Sequence, residues 1–337
     1  MDDRSRQIET FLDRNGWRGA ARTLLAADAS FRSYDRLHHG DRRAVLMNAP
    51  PPRENIRPFV KISKLLHRLE LSAPTIFAKD EVMGLILLED FGDQTYTKIL
   101  NESPEREVEL YNLAVDVLVE LHRRFSKQID SSAPCYNDEM LLEEAALLFD
   151  WYLPEIGLDV TGASERSKYL DLWRAAAPLA RHAPDTLVLR DYHVDNLMVL
   201  DGRNSVSACG LLDFQDAVIG PATYDLVSLL EDARRDVPVL MARDLRDRYL
   251  SAFPEFDKDA FDASYAMLGA QRSAKIIGIF TRLAKRDGKS GYLQHISRTW
   301  RWLEGALQHP ALADIRRWFD RVIPSEQRRA PLIGNIE

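Results

Sequence analysis

Leu189-Arg190-Asp191-Tyr192-His193-Val194-Asp195-Asn196, followed by Leu211-Leu212-Asp213-Phe214-Gln215-Asp216, decides how this chain is read. It sets an Asp, an Asn five residues on, and a second Asp closing a later apolar run. That is the layout of a phosphoryl-transfer site. The first Asp accepts or orients a hydroxyl proton, and the Asn and second Asp hold magnesium against the phosphates of ATP. The flanks explain why loops fall at both places. Thr186–Leu189 reads as a strand ending at Arg190, Leu197–Leu200 starts the next, and Ala208–Leu212 delivers Asp213 at its tip. Asp and Asn are also routine turn residues, so each is weak evidence alone. Together, at this spacing and between apolar strands, they point to chemistry.

The 337 residues suffice for one large domain or two lobes. With 45% hydrophobic and 29% charged residues the composition is that of a globular protein. A formal net charge of -7 argues against a nucleic-acid partner, which needs a basic footprint. Met1–Arg6 leads into no apolar signal core, and Val82–Leu88 is too short to cross a bilayer, so no membrane partner is expected. The two cysteines, Cys135 and Cys209, form no metal or disulfide pattern. A cytoplasmic, monomeric enzyme is the expectation.

Working outward, the first ninety residues are strand-rich. A helix near Ile8–Asn15 precedes strand-like Ala21–Leu25, Phe31–Leu37 and Ala44–Met47. A helix near Ile56–Leu71 follows, tolerating Pro58 in its first turn. Pro74–Ala78 and Gly84–Glu89 then read as strands. From Gln94 onward helices dominate, and the site strands sit among them. The expected fold is therefore α+β and bilobal: a small antiparallel-sheet lobe over residues 1–91, and a large, mainly helical lobe over 92–337. The segment Leu87–Gly92 joins them and leaves a cleft.

With these pieces in place, the chain resembles the aminoglycoside phosphotransferase and choline kinase family of the protein-kinase-like fold. The resemblance rests on the strand-rich lobe, the linker Glu89–Gly92, Val119-Glu120-Leu121-His122, the loop Asp191–Asn196, and Asp213. It implies that Asp191 is the catalytic or hydroxyl-orienting group and that Asn196 and Asp213 bind Mg2+. Backbone groups of Glu89, Asp90 and Phe91 would hold the adenine of ATP. Asp225 would either brace the catalytic loop or simply cap a helix. Within the family, Ala27–Arg32, Met47–Pro51 and Ser228–Asp236 are similar to a bacterial branch that phosphorylates the anomeric hydroxyl of cell-wall amino sugars.

Two departures stand out. Leu189 replaces a frequent histidine two residues before the Asp, and Met47 stands where the third strand should offer a lysine to the phosphates. Arg32, Arg36 and Arg43 are the replacement cations at hand, with Arg32 and Arg36 sharing strand parity. No Gly-x-Gly loop is present, so Ser30 and nearby amides would cover the phosphates. Met47 also keeps open a nucleotide-binding pseudokinase without chemistry. On the substrate side, Ala270–Arg301 holds eight Lys and Arg against the single acid Asp287. Such a helix would repel a polycationic antibiotic and suits a neutral or carboxylate-bearing amino sugar. His193, Asp195, Asp216, Arg272 and Lys275 are the candidate substrate contacts. Asp216 and Asp232 can equally cap helices, and Trp300, Trp302 and Trp318 read as packing.

Overall fold

A computed structural model describes residues 3–27, 31–125, 133–158 and 162–333. The chain divides into two compact units: residues 1–117 with 194–216, and residues 118–193 with 217–337.

The first unit is built on a five-stranded antiparallel sheet. Its strands β1 (Ala21–Ala27), β2 (Ser33–His39), β3 (Arg42–Asn48), β4 (Ile76–Asp80) and β5 (Leu85–Leu88) lie in the order β1-β2-β3-β5-β4. Alternation along the strands separates two faces. Leu37, Ala44, Leu46, Leu85 and Leu87 pack under α1 (Asp3–Arg14) through Ile8, Phe11, Leu12 and the following Trp17. Val45 and Met47 therefore point to the opposite face, with Tyr34 and Arg36 beside them in register. The helix α2 (Arg57–Arg68) opens with Pro58 in its first turn, where no intrahelical N–H is lost, and buries Phe59, Ile62, Leu65 and Leu66.

The same unit contains α3 (Tyr96–Glu102), capped by Thr95, and the start of α4 (Glu107–Arg124). It takes residues 194–216 back from much later in the chain. Two backbone bonds seat that segment. Leu211 donates to the Ser72 carbonyl at 2.8 Å, and Val199 donates to Gln94 at 2.8 Å.

The second unit is helical: α5 (Asp138–Leu147), a π-helical turn at Leu148–Tyr152, α6 (Leu153–Glu155), α7 (Ala163–Ala180), α8 (Thr223–Leu230), α9 (Val239–Ser251), α10 (Lys258–Asp287), α11 (Ile296–Ala306) and α12 (Ala313–Val322). The two-stranded sheets are β6 (Asp185–Val188) with β9 (Val218–Pro221), and β7 (Leu197–Val199) with β8 (Cys209–Leu211) in the first unit. Trp300 and Trp318 are buried packing residues. The 30-residue α10 runs against α5 closely enough that a Cβ at Gly278 would lie 2.2 Å from the Leu147 carbonyl carbon. A Cβ at Gly269 would lie 2.8 Å from the Glu231 carboxylate. Among the described residues no helix is long and apolar enough to cross a membrane.

Candidate active site

In the second unit, β6 ends in a strained turn. Arg190 has φ 71°, and the Asp191 N–H donates back to the Leu189 carbonyl at 2.9 Å, closing a three-residue turn. A non-glycine residue in this region costs roughly 1–3 kcal/mol, so the surroundings must hold it. Asp225, in the first turn of α8 and fully buried, accepts the N–H of Leu189 at 2.6 Å and of Arg190 at 2.9 Å. Ser228 donates to the Arg190 carbonyl at 3.2 Å. Hydrogen bonds contribute roughly 0.5–1.5 kcal/mol each, so the three together offset the strain. Burial pushes the Asp225 carboxyl up to about 7, against the pull of its two backbone donors.

The Arg190 side chain is tied down separately. Its guanidinium pairs with Glu144 of α5, which also accepts Lys275 at 2.8 Å, the Tyr136 hydroxyl at 2.7 Å and the Gln271 amide at 3.1 Å. Burial alone would raise the Glu144 carboxyl. Lys275 and Arg190 outweigh it and hold the group at about 2. Lys275 also donates to the Tyr224 hydroxyl at 3.2 Å. Glu144 carries no local sequence signal, because its partners come from the turn after β6, from α10 and from Tyr136. His193 is buried and held neutral by that burial, reinforced by Arg234 and Arg272.

In the first unit, Asn196 and Asp213 both line a cavity of about 410 Å³. The Leu212 N–H donates to the Asn196 carbonyl at 3.0 Å, which brings the two loops side by side. Asp213 sits at φ 57° and accepts Gln215 at 2.7 Å. An amide oxygen and a carboxylate are hard donors of the kind magnesium prefers, and that ion takes its remaining positions from phosphates and water. Among the described residues no cluster of three or more acidic, His or Cys ligands exists, so an ion held by this pair would depend on phosphates and water for its other ligands. The pair fits a nucleotide-bound Mg2+ and would supply charge neutralisation at the phosphates.

Glu89, Asp90 and Phe91 line the same cavity, with Val45, Leu88 and Met198 as apolar walls. The Glu89 N–H is taken by the Thr75 carbonyl at 2.8 Å. Among the described residues, no hydrogen bond uses the Glu89 carbonyl or the Phe91 N–H. An acceptor and a donor are thus left two residues apart, a pairing that matches the amino and ring-nitrogen edge of adenine. The Glu89 carboxylate is held by Arg203, whose guanidinium lies 5.3 Å from the Phe91 ring centroid.

The replacement cations separate clearly. Arg36 is bound 2.9 Å from Asp90 and 2.8 Å from Asp93, bracing that segment of the first unit. Arg32 lies 3.7 Å from Glu54, just before α2. Met47 is buried beside Tyr34. Ser30 lies outside the described residues. Asp195 lines the cavity and accepts the Thr97 hydroxyl, while Asp216 is exposed and receives Gln215 at 3.4 Å.

The sequence profile of the phosphotransferase enzyme family matches residues 22–263. This chain belongs to that family. It is an enzyme, a phosphotransferase. A Caulobacter vibrioides protein named N-acetylmuramate/N-acetylglucosamine kinase is 36% identical, over 95% of this chain and 96% of its own length. Choline kinase from Streptococcus pneumoniae superposes with a TM-score of 0.59 at 12% identity, over 91% of this chain and all of that one. A phosphotransferase solved with streptomycin and ATP gives 0.57 at 16% identity, over 90% of this chain and 96% of that one. The α+β fold is therefore kinase-like. Met47, read from the sequence as standing where the resemblance implies a lysine, is a buried thioether.

Proposed function

We propose that this phosphotransferase moves the γ-phosphoryl group of ATP to the anomeric hydroxyl of N-acetylmuramate and N-acetylglucosamine, in recycling of cell-wall sugars. The observation that carries the reading is the 36% identity to the Caulobacter kinase along nearly the whole of both chains. Asp191 orients the attacking hydroxyl, and the braced turn before it supports that role. Asn196 and Asp213 hold Mg2+, and the open acceptor and donor at Glu89 and Phe91 receive adenine. Arg32 is the cation we assign to the phosphates; its 3.7 Å pairing with Glu54 is looser than the contacts of Arg36 with Asp90 and Asp93. Ser30 is assigned to the phosphates as well. Asp195, Asp216, His193, Arg272 and Lys275 form the proposed sugar side. Catalysis on such a site is mainly positioning and electrostatics.

The test is direct. The protein is incubated with ATP, magnesium and a panel of amino sugars, and phosphorus NMR is read for an anomeric phosphate. Phosphate on another hydroxyl, or turnover confined to non-sugar alcohols, overturns the substrate assignment.

A further inference from the structure

Arg272 stands apart from every other cation around the catalytic turn. It projects from α10, is 5% exposed, and belongs to the second unit together with His193, Asp225 and Glu231. Its charge is felt at all three. Yet among the described residues it makes no hydrogen bond and no ion pair. The neighbouring cations are committed: Lys275 to Glu144 at 2.8 Å, Arg190 to the same carboxylate, and Arg234 to Asp232 at 3.6 Å.

The nearby acids do not serve it either. Both oxygens of Asp225 are taken by the Leu189 and Arg190 N–H groups, and Glu231, engaged by Tyr265 with its Oε2 unbonded, makes no ion pair with Arg272. Arg190 and Arg282 each bury an unbonded Nε atom, whereas no nitrogen of Arg272 is sealed in that way. The guanidinium is thus desolvated on its stem side and open at its head. A buried cation without a partner is expensive, and a folded protein tolerates one where a ligand completes it. The planar fork of a guanidinium is complementary to a carboxylate, which it can grip through two parallel bonds.

We propose that Arg272 receives the carboxylate of an acidic amino-sugar substrate, the lactyl arm by which N-acetylmuramate differs from N-acetylglucosamine. This rests on the sugar-kinase reading above and adds the residue that sets selectivity within it. Lys275, three residues on, does not share the task, because Glu144 already neutralises it. The neutral sugar leaves Arg272 to water, so the enzyme can still turn it over.

The test compares kcat/KM for the two sugars in the wild-type chain and in Arg272→Gln, following sugar-dependent ADP release. A hydrogen-bonded charge pair predicts about a 10- to 100-fold loss on N-acetylmuramate. The loss on N-acetylglucosamine should stay within about threefold, a structural role being common to both sugars. An equal fall on both sugars, as a contact to the transferred phosphate would give, overturns the proposal, and so does no change on either. Should Arg272→Gln fail to fold, the wild-type enzyme is assayed with the methyl ester of N-acetylmuramate. A KM raised about 10- to 100-fold supports the assignment, and an ester used as well as the acid overturns it. A wild-type chain that phosphorylates neither sugar refutes the functional reading, and this assignment with it. That result is distinct from turnover with unaltered selectivity.

Discussion

Glu144→Gln probes the buried charge cluster most sharply. The carboxylate sits between Lys275 and Arg190, with side chains 10%, 13% and 19% exposed respectively. Glutamine keeps the volume and can still meet Tyr136 and Gln271, so the change removes little besides charge. It leaves two mostly buried cations without an anion, and breaking a buried pair in this way typically destabilises by about 3–5 kcal/mol. At about 2–4 °C per kcal/mol for a unit of this size, the melting temperature should fall by roughly 6–20 °C in calorimetry. Lys275→Met in the same chain then removes one of the stranded charges. The double variant should be less destabilised than the sum of the singles, with a coupling of about 1–3 kcal/mol. Turnover of Glu144→Gln should also fall, by up to about 10²-fold, because Arg190 no longer fixes the turn that carries Asp191. Stability losses that add within about 0.5 kcal/mol would refute the charge-cluster argument.

Other expectations follow from the same geometry. Asp191→Asn should lower kcat by about 10²–10⁴-fold while the melting temperature holds, and near-normal turnover in an ATP-consumption assay would remove Asp191 from its role. Asp213→Ala should raise the magnesium concentration needed for half-maximal activity far more than the KM for sugar, and an unchanged magnesium titration would exclude it as a ligand. Asp225 titrates at about 7 in the fold against an ordinary 3.8. Its contribution to stability is therefore complete below about pH 3.8 and is lost as pH rises to about 7, on the order of 4 kcal/mol at most. The stability difference between the wild type and Asp225→Asn should fall across that window. A difference that is flat with pH would show that burial does not govern this carboxyl.

Much of the architecture was legible because it is locally encoded. The antiparallel sheet, α2 with Pro58 in its first turn and the long α10 all follow from apolar periodicity and caps. Two elements escaped for physical reasons. The four-residue β9 ends in Gly220-Pro221, which reads as a turn, and only pairing with β6 makes it a strand. The capped α3 is too short to show periodicity. Residues 194–216 read as part of a helical lobe, and only long-range backbone bonds to Ser72 and Gln94 place them with the first sheet. At the site, the Asp191, Asn196 and Asp213 spacing was visible from sequence. Asp225 was ambiguous because a brace and a cap both use an Asp in the first helical turn; its bonds to Leu189 and Arg190 show the brace. The partners of Arg190, Arg36 and Arg272 were invisible. Ion pairs between residues as far apart as Glu144 and Arg190 leave no periodic trace.

The two glycines of α10 constrain how this protein can change. Gly269 and Gly278 are nine residues apart, about 13 Å along the axis and two and a half turns, so they face opposite sides of the helix. One admits the Glu231 carboxylate and the other the backbone of Leu147. Arg272 and Lys275 lie on the segment pinned between these two contacts. That segment can neither roll nor slide without driving a neighbour into space that only hydrogen occupies. A descendant that gained a different substrate would have to do so by exchanging side chains on a stationary helix, because moving the helix is closed to it.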